Sequence, residues 1–433
     1  MTGPLLDRLT RRVGRADVVV KTDDTLSLAV SADGETRASS SRTRTTHLRV
    51  ATEGRIGHAS TSDDSPDDLA ERAIAAAKCG TELDLHLPMP APLPDVVARA
   101  PQAASADVAT LEAIARALSE RLQRSDRRVE VWAERSSGSV EIANTRGALS
   151  SYEVTLAGAG AVVESIGAGY APPCRVYCSG VALPSLSDLE ALVTEVDRRL
   201  GPRILAARSR IPAAAPICIA PRAVATFLAP VRAALTGHEA LLGSSPLRGR
   251  LGEAVFDEKL SLADDPLAPG RPGSRPLDDD GVVARRVPLI ERGRLVGLLS
   301  DLEVGARAGV PSTGHGWRRS GSGSRVGFTN LRILPGIETR ATLLTMMGRG
   351  LLVEDLDWHG GSNPIRGTLR LRAPWTYLVV NGSVVGRLEG LRITGNVFDA
   401  LTRIVGLGAD STWVGPVSAP TLLLEGIGVS GEW

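Results

Sequence analysis

One short segment of this 433-residue chain carries side chains that could perform hydrolytic chemistry. Between Thr236 and Gly243, His238 could bind a metal ion and Glu239 could activate a water molecule. Helical zinc sites of hydrolases add a second histidine about one turn later and keep one coordination position open. Here Leu242 and Gly243 stand four and five positions after His238, so the sequence contains only half of such a motif.

Two other histidines could supply the missing zinc ligands. His315 stands in a glycine-rich stretch, and His359 follows Trp358. A single imidazole cannot fix the geometry of a zinc ion or hold it against water, so a metal site would depend on such substitutes. The simpler interpretation is that His238 and Glu239 cap or hydrogen-bond at the end of a helix. We therefore expect no metal ion there.

The other clusters of reactive side chains favour structural roles. Cys174 and Cys178 are closely spaced, but no second pair lies nearby to complete four zinc ligands. The acidic runs at 264–265 and 278–280 could suggest a cation site or paired acid–base groups, yet acids clustered in turns are typically solvated or capping. The stretch 321–327 lacks the strand-to-helix context of a phosphate-binding loop, and we predict a flexible loop.

Composition limits the classes of function. Apolar residues make up 43% of the chain and charged residues 23%, as in a globular protein, and the length favours two or three domains. No apolar run approaches a membrane span and no signal peptide is visible, so we expect a cytoplasmic location and no membrane partner. A net charge of +1 and 3% aromatic residues argue against direct binding of nucleic acid.

The arginines at 42, 44 and 49 occupy roughly alternate positions of a strand-like segment. They are interpreted as one solvated strand face.

The elements that would position these residues follow from hydrophobic spacing and turn residues. Helices are predicted from an N-cap at Ser65 to about Lys78, and at 107–124 and 187–200; residues 80–104 are predicted to be an extended, proline-rich connection. Strands are predicted at 18–21, 25–31 and 37–60, at 129–133 and 139–143, and as a pair within 151–170, with a hairpin connection at 144–147.

The second half begins with a predicted strand at 216–220 and a helix that starts at Pro221. His238 and Glu239 fall at or just beyond the end of that helix, and many short strands follow. With a boundary in 201–214, we predict an α+β protein of two domains. Residues 1–207 form a mixed domain of helices and antiparallel strands, and residues 208–433 form a predominantly β domain with a curved or barrel-like sheet.

A series of short segments also carries a resemblance to known proteins. Their order and spacing are similar to those of the TldD/TldE (PmbA) family over nearly the whole chain. The segments are residues 54–61, 263–266, 273–281, 286–293, 297–301, 361–367, 393–396 and 418–423.

The resemblance implies a heterodimeric peptidase that acts on small or unfolded peptides. In TldD the metal site is His-Glu-x-x-x-His with a later cysteine, whereas TldE lacks the metal. His238 matches the first ligand, Glu239 matches the general base, Gly243 replaces the second ligand, and the segment 406–418 contains no cysteine. The resemblance therefore implies a TldE-like subunit that pairs with a zinc-containing, TldD-like partner.

Two other functions remain open at this level. The chain could be an autonomous, diverged metallopeptidase that uses His238 and Glu239 with substitute ligands. It could also be a peptide-binding or regulatory protein without hydrolytic activity, forming a homodimer when alone. The sequence does not identify the peptide substrate or its pathway.

Overall fold

The computed structural model of the protein describes residues 6, 9–62, 66–166, 172–200, 212–319 and 323–431. The described strands are β1 (Arg15–Val30), β2 (Thr36–Thr52), β3 (Arg55–Thr61), β4 (Arg127–Asn144), β5 (Leu149–Ser165), β6 (Cys174–Gly180), β7 (Ile217–Ile219), β8 (Leu262–Asp264), β9 (Val287–Glu291), β10 (Arg294–Leu295), β11 (Gly316–Arg319), β12 (Gly323–Val326), β13 (Leu331–Ile333), β14 (Arg349–Val353), β15 (Asp357–Trp358), β16 (Thr368–Arg372), β17 (Thr376–Val380), β18 (Ser383–Leu388), β19 (Arg392–Asn396), β20 (Ile404–Leu407), β21 (Thr412–Val414), β22 (Val417–Ala419), β23 (Leu422–Leu424) and β24 (Gly428–Ser430).

The helices among these residues are short to medium in length. They are α1 (Pro66–Lys78), α2 (Pro101–Ala104), α3 (Val108–Leu122), α4 (Leu186–Leu200), α5 (Pro221–Phe227), α6 (Ala229–Ala234), α7 (Gly237–Leu242), α8 (Leu302–Ala308), α9 (Arg340–Met347) and α10 (Val397–Ala400). None of the described helices has the length and apolar character that a membrane-spanning helix needs.

The first half is built on one six-stranded antiparallel sheet with the order β3-β2-β1-β4-β5-β6. Helices α1, α3 and α4 pack against it. In α3, Asp107 is the N-cap and accepts a hydrogen bond from the Thr110 amide, while Leu111, Leu118 and Leu122 are buried. The three predicted helices are therefore confirmed, and β1, β2 and β3 form the predicted meander. Residues 80–104 are not extended throughout, because α2 forms within them.

Three strand predictions in this half are wrong. The segments 18–21 and 25–31 are not separate strands, because residues 18–30 all lie in the continuous β1. The segments 129–133 and 139–143 are not separated by a turn, because both belong to the continuous β4, which pairs with β1 from Val131 to Asn144. Gly138 permits this close pairing, since a Cβ atom there would lie 2.3 Å from the carbonyl oxygen of Thr22. Similarly, 151–165 is part of one strand, β5; residues 167–170 lie outside the described residues.

The second half is predominantly β, as predicted. Its two larger sheets have the orders β10-β9-β8-β13-β22-β21 and β18-β17-β14-β7-β23-β20, accompanied by a four-stranded sheet and the β11–β12 hairpin. Among the described strands these sheets are open, so the expected barrel-like form is corrected to open sheets. The α+β class is confirmed, because helices and mostly antiparallel strands are combined in one chain.

The hydrophobic core continues between the two halves. One buried cluster contains Leu111 and Leu118 of α3 together with Leu352 of β14 and the fully buried Trp375. The predicted boundary between residues 207 and 208, and the Ser65 cap, lie outside the described residues. The division into two domains therefore stays a prediction.

Candidate functional site

The half-motif lies on a cleft of about 630 Å³ between the first sheet and the second half. His47 and His58 come from β2 and β3, and His238 comes from α7. Three of the six histidines thus line one surface. The other polar lining side chains are Ser60, Thr81, Asp301, Glu303, Arg307, Arg318, Arg319, Ser324 and Arg325.

His238 and Glu239 belong to the short helix α7, which is separate from α5 and α6. The sequence predicts them at or just beyond the end of one helix begun at Pro221; the structure instead divides that helix into α5 and α6 and places both residues within a further helix. Glycine is needed at the first residue of α7, because a Cβ atom at Gly237 would lie only 2.7 Å from a methyl group of Val304. The Gly237 amide also donates to the carbonyl oxygen of Leu299 at 2.7 Å.

One of the two ring nitrogens through which His238 could bind a metal ion is hydrogen-bonded to an arginine. His238 Nε2 lies 3.0 Å from Nη1 of Arg325 in β12. A guanidinium can only donate and keeps its charge in proteins, so Nε2 is the acceptor and its lone pair points at a cation. Glu239, the counterpart of a general base, accepts a hydrogen bond from Oγ of Ser244.

The position of the absent second histidine is a helix terminus. Gly243 has φ of +79° and ends α7 in the left-handed conformation that favours glycine. A Cβ atom there would lie 2.7 Å from Nη1 of Arg248. The fifth residue after His238 therefore lies past the last turn, where a side chain would need strained backbone.

The candidate substitute ligands do not join this cleft. His315 is fully buried, and its Nε2 lies 2.9 Å from Oδ2 of Asp264 while Nδ1 lies 3.0 Å from Oγ1 of Thr313. Neither His315 nor His359 lines the cleft. Cys174 is buried and Cys178 half-buried on β6, and burial raises the pKa of both thiols. In the described part of the chain, no group of three or more His, Cys, Asp or Glu is placed to hold a metal ion.

The acidic run at 278–280 is buried and not solvated, whereas the alternative expectation of capping holds for Asp278, which accepts hydrogen bonds from the amides of Asp280 and Val282. Asp278 accepts a 2.7 Å hydrogen bond from the Gly316 amide, and Asp279 accepts one of 2.6 Å from the Arg318 amide. Burial, together with the charge of Asp280, raises the pKa of Asp278 to about 8. These carboxyl groups hold strand β11 and thus position the hairpin that carries Arg325. The acid at 264 is also buried, against His315.

A buried ion network connects this hairpin to the first sheet. Arg49 is fully buried and contacts Asp17, Asp280 at 3.1 Å and Glu303 at 3.2 Å. Arg318 lies 2.6 Å from Asp17 and 3.2 Å from Asp280. Burial favours a lower pKa for Arg49, but the three carboxylates raise it well above its usual value. The prediction of one solvated arginine face is therefore wrong at position 49.

Other ionisable groups of the cleft titrate away from their usual ranges. Burial, reinforced by the positive charges of Lys21 and Arg318, lowers the pKa of His47 to about 4. Burial and the charge of Asp280 raise the pKa of Asp301 to about 6, although Asp301 caps α8 by accepting from the amide of Val304 at 2.7 Å. His47 is therefore neutral near pH 7.

The arginines and Glu303 were not anticipated from the sequence as members of this site. His58 lies in one of the segments that carry the family resemblance, and its Nε2 contacts Glu303 at 2.9 Å. For Arg319 and Arg325 a signal existed: the polar, glycine-rich stretch between them is typical of a hairpin connection. The predicted loop is corrected accordingly, because 323–326 is strand β12, with Arg325 opposite Trp317; residues 321–322 lie outside the described residues.

A zinc ion of the kind that the family resemblance implies does not fit these residues. His238 is the only side chain of the expected ligand set at its matched position. Its Nε2 lone pair faces the Arg325 guanidinium, and Gly243 cannot contribute a ligand. The described geometry therefore supports no catalytic step through a metal at His238.

Comparisons with known proteins identify relatives of the whole fold. A profile described as the PmbA/TldA metallopeptidase C-terminal domain matches residues 212–431, and one for PmbA/TldA metallopeptidase domain 1 matches residues 16–77. A metalloprotease of Methanothermobacter thermautotrophicus is 28% identical over 180 residues, which cover 40% of this chain and 39% of that protein. The chain thus spans less than half the length of that relative.

A longer match is found to metalloprotease PmbA of Escherichia coli O157:H7. The two are 26% identical over 402 residues, covering 89% of this chain and 85% of the relative. The crystal structure of TldE from Thermococcus kodakarensis is similar with a TM-score of 0.88 and 22% identity, over 99% of both chains. The similarity to that structure is one of fold.

Proposed function

The chain belongs to the TldD/TldE (PmbA) family of metallopeptidases, and we propose that within it this protein is a non-catalytic, TldE-like subunit. It pairs with a TldD-like partner that carries the zinc ion. The pair hydrolyses small or unfolded peptides, and this chain contributes a wall of the peptide-binding space. It acts in the cytoplasm.

One observation carries the proposal: Arg325 donates to Nε2 of His238 at 3.0 Å. A permanent cation at this nitrogen opposes the binding of Zn²⁺ there, because the two would compete for the same lone pair and repel each other. The left-handed Gly243 at the end of α7 and the Ser244 contact of Glu239 support the same interpretation. In place of a metal site, these residues form a local hydrogen-bonded cap.

The cleft supports a role in enclosing a peptide. Its wall combines the apolar side chains of Ile56, Leu241 and Leu242 with histidines and arginines. Leu242 is 66% exposed and, with Leu241, provides an apolar surface for peptide side chains. Pairing with a partner would extend this surface.

The test compares metal content and activity of the separate and mixed proteins. After dialysis against metal-free buffer, elemental analysis is expected to give near zero zinc per chain here and about one in a TldD-like partner from the same organism. Hydrolysis of unfolded peptides is expected only in the mixture. One zinc per chain in this protein alone would refute the proposal.

A variant separates this function from autonomous catalysis. Glu239→Gln is expected to leave the activity of the mixture within about twofold, because Glu239 contacts Ser244 and activates no water. The matched control is the same substitution at the general base of the partner, which should abolish hydrolysis. Loss of activity in the Glu239→Gln chain assayed alone would instead identify an independent peptidase.

A further inference from the structure

A second cleft, of about 540 Å³, lies between the β11–β12 hairpin and helix α6. We call it the arginine cleft. It shares Arg319 and Arg325 with the His238 cleft, so the two adjoin. The remaining lining residues are Ala229, Arg232, Ala233, Thr236, Trp317, Val326, Gly327 and Phe328.

The arginine cleft has a strong excess of positive charge. Among its described lining residues are three arginines and no aspartate or glutamate. Arg325 hydrogen-bonds to His238, which is neutral when it accepts, and Arg319 forms no ion pair within the described part of the chain. The positive charge of the three guanidiniums is therefore not neutralised by a carboxylate in the lining.

Arg232 is the least exposed of the three arginines. Its guanidinium lies 5.3 Å from the centre of the Phe328 ring, and its Nε is buried without a hydrogen-bond partner among the described residues. Burial lowers the pKa of Arg232, with a smaller opposing effect from Asp264. The Asp264 carboxylate already accepts hydrogen bonds from Thr329 and contacts His315.

A largely buried guanidinium without a carboxylate partner carries a desolvation cost that an anion can offset. The indole Nε1 of Trp317, also in the lining, is another buried donor without a partner in the described chain. Planar guanidiniums match the two oxygens of a carboxylate, and such charge-assisted bonds are stronger than neutral ones. The cleft is therefore suited to a small oxyanion.

We propose that the arginine cleft binds the α-carboxylate at the C-terminal end of a peptide. The adjoining His238 cleft offers the apolar side chains Leu241 and Leu242 to the residues that precede such a carboxylate. The choice of a peptide over free phosphate, whose charge would suit the same donors, rests on the proposed function in a peptidase complex. The anion-binding chemistry itself depends only on the arginines.

The test is calorimetric titration of the purified chain alone at low ionic strength. The probes are N-acetyl-trialanine with a free carboxylate, the same peptide as its C-terminal amide, and inorganic phosphate. We expect the free acid to bind at least tenfold more tightly than the amide and than phosphate, and added salt to weaken it. Equal binding of acid and amide, or tighter binding of phosphate, would overturn the proposal.

Variants assign the binding to the cleft. Arg232→Gln and Arg319→Gln should each weaken binding of the free acid about tenfold or more. Arg319 is exposed, so its replacement keeps the test valid if the Arg232 variant folds poorly. The control is Arg37→Gln, since Arg37 is a 76% exposed surface residue paired with Glu35. Unchanged affinity in Arg319→Gln would refute the site. Because neither zinc nor a partner is present, this result is independent of the subunit proposal.

Discussion

Replacing Arg49 with methionine tests whether the buried ion network holds the two halves of the chain together. The side chain of Arg49 is fully buried and contacts Asp17 and Glu303 as well as Asp280. Methionine keeps much of the side-chain length but leaves three carboxylates with fewer counter-charges. Removing one partner from a buried ion pair typically costs 3–5 kcal/mol.

The remaining contacts place the expected cost at the lower end of that range. Arg318 still contacts Asp17 and Asp280, and His58 still contacts Glu303. We therefore expect Arg49→Met to reduce the free energy of unfolding by about 3 kcal/mol. A cost of this size would show that the network is part of the folded core.

The assay is urea unfolding near pH 7, followed by fluorescence and circular dichroism. Arg42→Met is the matched control, because Arg42 lies on the same strand but is 84% exposed and pairs with Asp24, which keeps Arg135 as a partner. In the Arg42→Met control, the free energy of unfolding should fall by less than about 1 kcal/mol. If the two variants were equally stable, the inferred importance of burial at Arg49 would be refuted.

Two further predictions concern the rim of the His238 cleft. The folded-state pKa of Asp301, about 6, exceeds its unfolded value, so its contribution to stability is present at low pH and is lost as the pH rises from about 4 to 6. Asp301→Asn keeps an oxygen that accepts from the Val304 amide. Measured by urea unfolding at each pH, the free energy of unfolding of this variant relative to the parent should rise by up to about 3 kcal/mol across that window. A difference that does not change with pH would contradict the raised pKa of Asp301. Gly243→His should lower the free energy of unfolding by about 1–3 kcal/mol through its positive φ and crowding against Arg248, without adding zinc in elemental analysis. One zinc per chain in that variant would show that α7 can extend by a turn and that the zinc ion can displace Arg325 from Nε2 of His238.

The amino-acid sequence determined the elements whose signals are local. The cap at Asp107, the apolar stripe through Leu111 and Leu118, and the left-handed turn at Gly147 each follow from neighbours a few residues away. The absence of a second histidine after His238 is likewise visible directly in the chain. The local signals made the fold class accessible without coordinates, and the order and spacing of short segments such as 361–367 indicated the family.

The tertiary structure alone decided which polar residues are buried and which meet. Arg42 and Arg49 look alike in sequence, yet one is solvated and the other is enclosed by Asp17, Asp280 and Glu303. The partner of His238 is 87 residues away, because β12 is brought to α7 by long-range packing. Local spacing carries no information about such contacts, since their energy arises only when distant segments exclude water together. For that reason the half-motif was predictable, whereas the arginine that covers it was not.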